Sequence, residues 1–532
     1  MNENYKVISE YLITNEKLNI ENLVVSKEKS EIATQLNQLK NEKLPEIQSK
    51  IIQQLFHNQK KYLRFNRREV EEGRIIYIFS VLTVQLAEFD RAYFEGKFRV
   101  EAEEISLYDN TEERVIDTLY KPYYCEAVIE LNENEDREKR KIIEEGINGE
   151  WNLIREYDEP TNNSFPIAIH FCASPFMIKK MYAEWYTVLE KKGEKQLVSV
   201  LDKFEGKDLN YIGQPDGKEK FDDLFRNVDK SCVHVLRVGQ ASANYCFTIE
   251  PNRKNTHKYY FDVGLPTDWN MLTGDGLKFL EDKIVRGYFE KNGPEAVILS
   301  HWHSDHVKGA FTMKDVASMV WLAPVFKVRR KTNPESINRL GSYIFSKKKL
   351  ASIQVNQNPI YTCGNFALYH GVGSKLNDKG FMLQLNSTLL PGDCQFDFWP
   401  QGFGFANTKS QYTNLVFPHH GADMNDKNNR IDCLKNNGNT KVIIPTGYNH
   451  YGHPADNCNI FNGKNYTVFP TNPISKKSNK SNSTNKKSNK TNSSIFTNYF
   501  NLYVNARSDI VHRTNTPLTK TENKEFSIVD KP

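Results

Sequence analysis

The pattern of apolar and polar positions changes character near residue 230. Over the first 70 residues it follows a helical period. Ile32, Leu36 and Leu39, then Ile47, Ile51 and Leu55, recur near helical spacing among charged residues, and Pro45 interrupts the run. Residues 75–89 (IIYIFSVLTVQLAEF) form the longest apolar stretch and predict a buried helix or strand. With Gln85 and Glu88 inside it, the stretch is too short to span a bilayer. Strands are expected at 123–131 (YYCEAVIEL) and 164–173 (SFPIAIHFCA), and a helix around 176–192 (FMIKKMYAEWYTVLEKK). The polar segment 213–223 (GQPDGKEKFDD) reads as a linker.

From residue 231 the chain breaks into short apolar runs punctuated by glycine. Residues 232–249 and 258–264 predict a hairpin ending in a turn. Residues 295–300 (EAVILS) are continuously apolar, which suits a strand buried on both faces. A strand pair follows at 381–393 (FMLQLNSTLLPGD), then strands in 414–421 (NLVFPHHG) and 441–447 (KVIIPTG). Each of these last four segments ends in a polar cluster. Strand ends that converge in this way build a site.

Composition refines this only in part. A chain of 532 residues with 39% hydrophobic content implies roughly two to four globular domains. The net charge of +5 suggests an anionic partner, but residues 475–494 (SKKSNKSNSTNKKSNKTNSS) hold six lysines and no acid. That tract has nothing apolar to bury and is expected to be a disordered insertion, and the rest of the chain is nearly neutral. The eight cysteines are dispersed, without a CxxC, and no apolar leader follows the start; reduced thiols and a cytoplasmic location are expected.

Histidine carries the chemistry. Only 13 occur, and seven of them fall in two short regions: His301, His303 and His306, then His419, His420, His450 and His453. In extended backbone His301 and His303 point the same way and can grip one metal ion. Asp305 and His306 follow a turn into a helix, aim elsewhere, and can grip a second. Two adjacent ions need a bridging anion, and Asp393 of "LLPGD" suits that place. Imidazole with carboxylate favours zinc, iron or manganese over calcium. Two such ions about 3.5–4 Å apart can activate a shared water and stabilise a leaving oxygen.

These residues carry a resemblance. "HWHSDH" with an upstream "FDVG", a later "GD" and a late histidine resembles the metallo-β-lactamase-fold hydrolases. Within them the chain is most similar to the soluble relatives of the metallo-β-lactamase-like domain of the bacterial competence DNA-uptake channel. "VHVLRVGQASA", "LNDKGFMLQLNSTLLPGD", "PHHG" and "YGHP" occur in that branch's order, over about residues 231–471.

The resemblance implies an α/β fold, a metallo-β-lactamase-like αββα sandwich preceded by a separate α+β N-terminal domain. The expected boundaries are 1–228 for the N-terminal domain, 229–474 for the hydrolase, 475–494 for the insertion and 495–532 for closing strands. It implies His301 and His303 on the first metal, Asp305 and His306 on the second, Asp393 between them, and His453 completing the second. The first metal takes a further ligand from His419 or His420. We assign His419 to the metal and His420, with Asp305, to catalysis; His370 is then structural. Asp262 is expected to orient the metal loop through hydrogen bonds. The branch carries a serine after "HHG", whereas Ala422 stands here, so no substrate contact by that serine carries over to this chain.

The expected function is a dinuclear-metal hydrolase that uses a metal-bridging hydroxide, a phosphodiesterase or nuclease with two zinc or manganese ions. Two alternatives stand beside it. One is a small-molecule phosphoesterase or other ester hydrolase. The other is a sensor or effector whose N-terminal domain binds a protein partner and controls a latent hydrolase. Expected partners are a phosphodiester substrate, nucleic acid included, and no membrane.

Overall fold

The computed structural model describes residues 55–56, 59–71, 74–94, 123–132, 137–146, 151–172, 178–186, 208–209, 225, 230–249, 256–266, 278–289, 294–313, 316, 319–329, 333–347, 350–352, 358–363, 366–404, 412–422, 424, 426–447, 464–471 and 499–505. The helical pattern at 32–51, the linker at 213–223, the lysine tract, the closing segment beyond residue 505, and His450 and His453 with their "YGHP" lie outside them. The chain groups into two compact units. The first comprises Met1–Tyr211, Ala310–Ala317 and Val325–Leu350; the second comprises Ile212–Gly309, Ser318–Pro324 and Ala351–Pro532. No described helix is long and apolar enough to cross a membrane.

In the first unit, β1 (Lys61–Glu71), β2 (Arg74–Leu82), β3 (Tyr124–Asn132), β4 (Asn152–Tyr157), β5 (Phe165–Cys172) and β6 (Ile178–Tyr186) close a barrel in the order β1-β2-β3-β5-β6-β4. Closure leaves no unpaired strand edge. The long apolar stretch splits into β2 and the helix α1 (Val84–Phe94), and Thr83 at the junction bonds the Leu86 amide with its hydroxyl. A second helix, α2, spans Arg137–Gly146.

The helix expected around 176–192 is corrected: residues 178–186 are β6. Met181 and Ala183 are buried opposite Ile167 and Phe165, and Trp185 lies against Phe79 and Phe165. Lys180 on the alternate face is exposed. This period of two, set by pairing on both sides, overrides the helical preference of Met, Lys and Glu.

Residues 325–350 complete this unit. β7 (Asp208–Leu209) pairs with β13 (Phe326–Lys327), and α4 (Glu335–Ser346) packs on β2 and β3. This helix is buried over 335–344, its charged residues included. Arg64 bonds Glu335 at 2.8 Å and Arg339 bonds Asp90 at 2.6 Å. Ser336 bonds both backbone groups of Cys125, and the Glu335 amide donates to the Ser80 hydroxyl.

The second unit holds two seven-stranded sheets. One runs β14-β12-β11-β10-β9-β8-β22, built from β8 (Lys230–Leu236), β9 (Ala243–Ile249), β10 (Thr256–Val263), β11 (Ala296–Ile298), β12 (Val320–Ala323), β14 (Leu350–Ser352) and β22 (Tyr499–Asn505). The other runs from β15 to β21 in sequence order: β15 (Tyr361–Cys363), β16 (Phe366–His370), β17 (Phe381–Leu385), β18 (Thr388–Leu390), β19 (Asn414–Val416), β20 (Lys441–Ile444) and β21 (Thr467–Pro470).

Val233, Tyr259, Phe261 and Ile298 of the first sheet share one core with Leu368, Leu383, Val416 and Ile443 of the second, so the sheets pack face to face. The second sheet's other face is also buried: Met382, Leu389, Leu415 and Val442 pack with Phe396, Trp399 and Phe403. Strands buried on both faces read as continuous apolar runs, which is why these segments stand out in the sequence.

His234 on β8 is enclosed by the rings of Tyr245, Phe247 and Tyr288, and burial lowers its pKa to about 3. The unfolded chain takes up this proton near 6.5 and the folded chain does not. Stability is therefore full above that value and falls as the pH drops toward 3, by up to about 1.4 kcal/mol per unit. His234→Phe keeps a ring and removes the proton. In urea titrations it is expected to lose less stability than the wild type between about pH 7 and pH 5, by roughly 2 kcal/mol. Equal losses in both proteins would refute this.

Candidate metal centre

The site forms where strands of the second unit end. Asp262 lies at a bulge near the end of β10, with φ 61°, and is fully buried. Its carboxylate accepts from the Ser300 amide (2.7 Å), the Ser300 hydroxyl (2.9 Å) and His306 Nδ1 (2.8 Å). It therefore ties down the end of the β11 segment and places a proton on His306 Nδ1. His306 Nε2 is left facing the site.

Past β11 the chain delivers His301 and then His303 before turning into α3 (Ser304–Val307), which carries Asp305 and His306. The turn lies hard against Gly264, where a Cβ would sit 1.7 Å from the Asp305 carbonyl oxygen. This explains the glycine of "FDVG". Gly392 answers for the other motif: its φ is +57°, and a Cβ there would meet the Ser300 side chain at 2.7 Å.

Asp393 follows Gly392 and reaches the middle of the histidines. Its Oδ1 is 3.1 Å from His306 Nε2 and 3.7 Å from His420 Nε2, and its Oδ2 is 3.7 Å from His301 Nε2. After β19, the turn Pro418–Gly421 places both histidines in the left-handed region, His419 at φ 48° and His420 at φ 55°. Such backbone costs roughly 1–3 kcal/mol per residue and is kept where a site requires it. Here it aims the buried His420 inward, with Nδ1 on the Pro445 carbonyl (2.9 Å) and Nε2 3.2 Å from Asp305 Oδ2.

Two donor groups result among the described residues: His301, His303 and Asp393, and Asp305, His306 and His420. His420 stands with Asp305 and His306. His419 is 28% exposed at the mouth, with Nε2 4.0 Å from Asp393 Oδ2, and belongs to neither group. His370 also stands outside them: its Nδ1 faces the Gly371 carbonyl, and its backbone amide and carbonyl are held by Asn358. Ser300 and Asn377 were not anticipated. Ser300 directly precedes the histidine motif, and Asn377 lies at the start of "LNDKGFMLQLNSTLLPGD"; those positions are the sequence signal for each.

No protein-family model matches the chain, and no curated protein matches it. A solved structure described as a new diphosphatase from the PhnP family is a weak structural neighbour. It is 11% identical over 45% of this chain and 94% of its own, with a TM-score of 0.26. A likeness of that size carries no argument for fold or chemistry.

The donors can be tested against divalent metal directly. His306 Nε2 and His420 Nε2 are buried, and each faces a carboxylate oxygen, Asp393 Oδ1 at 3.1 Å and Asp305 Oδ2 at 3.2 Å. Their lone pairs converge on space that carboxylates line, as metal ligands require. Charge points the same way. Burial opposes a cation at His306, but Asp393, Asp262 and Asp305 outweigh it and hold its pKa well above the ordinary histidine value. His420 is raised against burial by Asp393 and Asp305. Burial would raise Asp393, yet His306 and His420 keep it well below the usual carboxylate range; Asp305 is lowered likewise by His306 and His420. His301, dominated by burial, is pushed well down and stays a neutral donor. A site that holds protons this strongly attracts divalent cations, and its nitrogen and oxygen donors fit zinc, manganese or iron.

Proposed function

We propose that the second unit is a metallo-β-lactamase-type hydrolase of phosphoesters, a phosphodiesterase or nuclease that works with two divalent ions. One observation carries this reading: Asp393 lies between the two donor groups and approaches nitrogens of both. The ordered motifs and the two face-packed sheets, with the donors at their strand ends, support the same reading.

His301, His303 and Asp393 would hold one ion, and Asp305, His306 and His420 the other, with Asp393 shared. Such a pair lowers the pKa of a bound water and neutralises charge on a phosphoryl group. The chain's own residues arrange the rest. Asp262 fixes His306 through Nδ1 and fixes the metal loop through Ser300. His420 is locked by the Pro445 carbonyl, so its ring cannot turn away. His419, half-open to solvent beside Asp393, stands where it can give a proton to a leaving oxygen.

Elemental analysis of protein expressed without chelators is expected to find about two transition-metal ions per chain. The metal-loaded protein is expected to hydrolyse bis-p-nitrophenyl phosphate, and DNA or RNA if it is a nuclease. Folded protein that holds no metal and cannot be reconstituted would overturn the proposal.

A further inference from the structure

The loop 371–380 between β16 and β17 is assigned no role by the metal centre, yet it borders it. Backbone hydrogen bonds cross-brace it: Gly371 N to Gly380 O at 3.0 Å, Gly373 N to Asp378 O at 3.0 Å, and Lys379 N to Lys375 O at 3.1 Å. Val372 N donates to Phe398 O at 2.9 Å, and at the loop's end Phe381 N donates to the carbonyl of Ser300, next to His301. A loop anchored at both ends holds its side chains in fixed directions.

Two of those directions matter. Asn377 turns inward: its Nδ2 is 3.5 Å from Asp393 Oδ2 and 3.4 Å from His419 Nε2. Asp393 can only accept, so the amide nitrogen and not the oxygen faces the site. Both distances are longer than a full hydrogen bond, and an NH2 group has two protons to place. A donor so loosely engaged is available to an incoming oxygen, and catalytic hydrogen bonds are often long before substrate binds. On the same loop, Val372 is 57% exposed and Leu376, next to Asn377 in the chain, is 47% exposed. Among the described residues the exposed large hydrophobics are these two and Val468, so two of the three sit on the loop that carries Asn377.

We propose that Asn377 touches the substrate, donating from its amide to a non-bridging phosphoryl oxygen, while Leu376 and Val372 seat a planar aromatic group of the same diester. This inference rests on the phosphoesterase reading and deepens it: the substrate is a phosphodiester carrying an aryl or nucleoside group.

Full-length, metal-loaded wild type, Asn377→Ala and Leu376→Ser are compared on bis-p-nitrophenyl phosphate, with inorganic phosphate as competitive inhibitor and metal content measured in each. Asn377→Ala is expected to lower kcat/KM by roughly tenfold to a hundredfold and to raise the Ki of inorganic phosphate several-fold at unchanged metal content. Leu376→Ser is expected to raise KM by roughly threefold to tenfold and to leave kcat and the phosphate Ki unaltered. An active wild type with an Asn377→Ala variant equal to it, or one whose losses track lost metal, overturns the inference alone. A wild type that holds metal and hydrolyses no phosphodiester overturns the phosphoesterase reading, and this inference with it.

Discussion

Asp393→Asn is expected to lower kcat toward a phosphodiester by roughly a hundredfold or more, with bound metal falling below two ions per chain. The substitution keeps size and shape and removes a charge. Asp393 approaches nitrogens of both donor groups, so on the proposed two-ion reading its charge would let two cations sit side by side. An amide oxygen in its place is a weaker ligand and offsets no cation charge, so metal affinity and water activation decline together. His370→Ala is the control: that ring lies outside both groups and is expected to change neither metal content nor rate appreciably. Wild-type metal content and rate in Asp393→Asn would remove the bridging role.

Arg339→Ala is expected to destabilise the first unit by about 3–5 kcal/mol. Arg339 Nε bonds Asp90 Oδ2 at 2.6 Å, with the two side chains 0% and 2% exposed. Truncating the arginine removes the cation that faces the buried Asp90 carboxylate, and breaking a buried pair on one side costs far more than the pair itself contributes. The melting temperature should fall by roughly 6–20 °C in a unit of this size. Replacing both partners by leucine or methionine removes both charges and is expected to restore most of the loss. A single variant as stable as the wild type would show that the pair does not hold the helix.

Much of the candidate site could be read in the sequence because short buried strands are continuously apolar and their ends are abruptly polar. The runs at 295–300 and 381–393 announced β11 and the β17–β18 pair, and the histidine motif followed the first directly. Which of the two "PHHG" histidines joins the donor groups could not be read. It depends on two consecutive histidines at positive φ, a conformation uncommon for any residue but glycine. The strand at 178–186 was hidden for another reason, since its residue types favour a helix and only its pairing partners make it a strand. The burial of α4 had no local signal either. Its ionic partners lie 271 and 249 residues earlier in the chain.

That separation has a consequence for how the protein is made. Arg64 and Asp90 leave the ribosome long before Glu335 and Arg339 exist. At roughly 5–20 residues per second the wait is on the order of ten to fifty seconds. The barrel strands are all synthesised by residue 186, but the helix that carries Glu335 and Arg339 arrives only after the whole His301–His306 segment has been translated. Until then the Arg64–Glu335 and Arg339–Asp90 pairs cannot form. A chain that ends before residue 335 lacks the helix that makes both pairs, so its first unit is expected to be less stable than in the full-length protein.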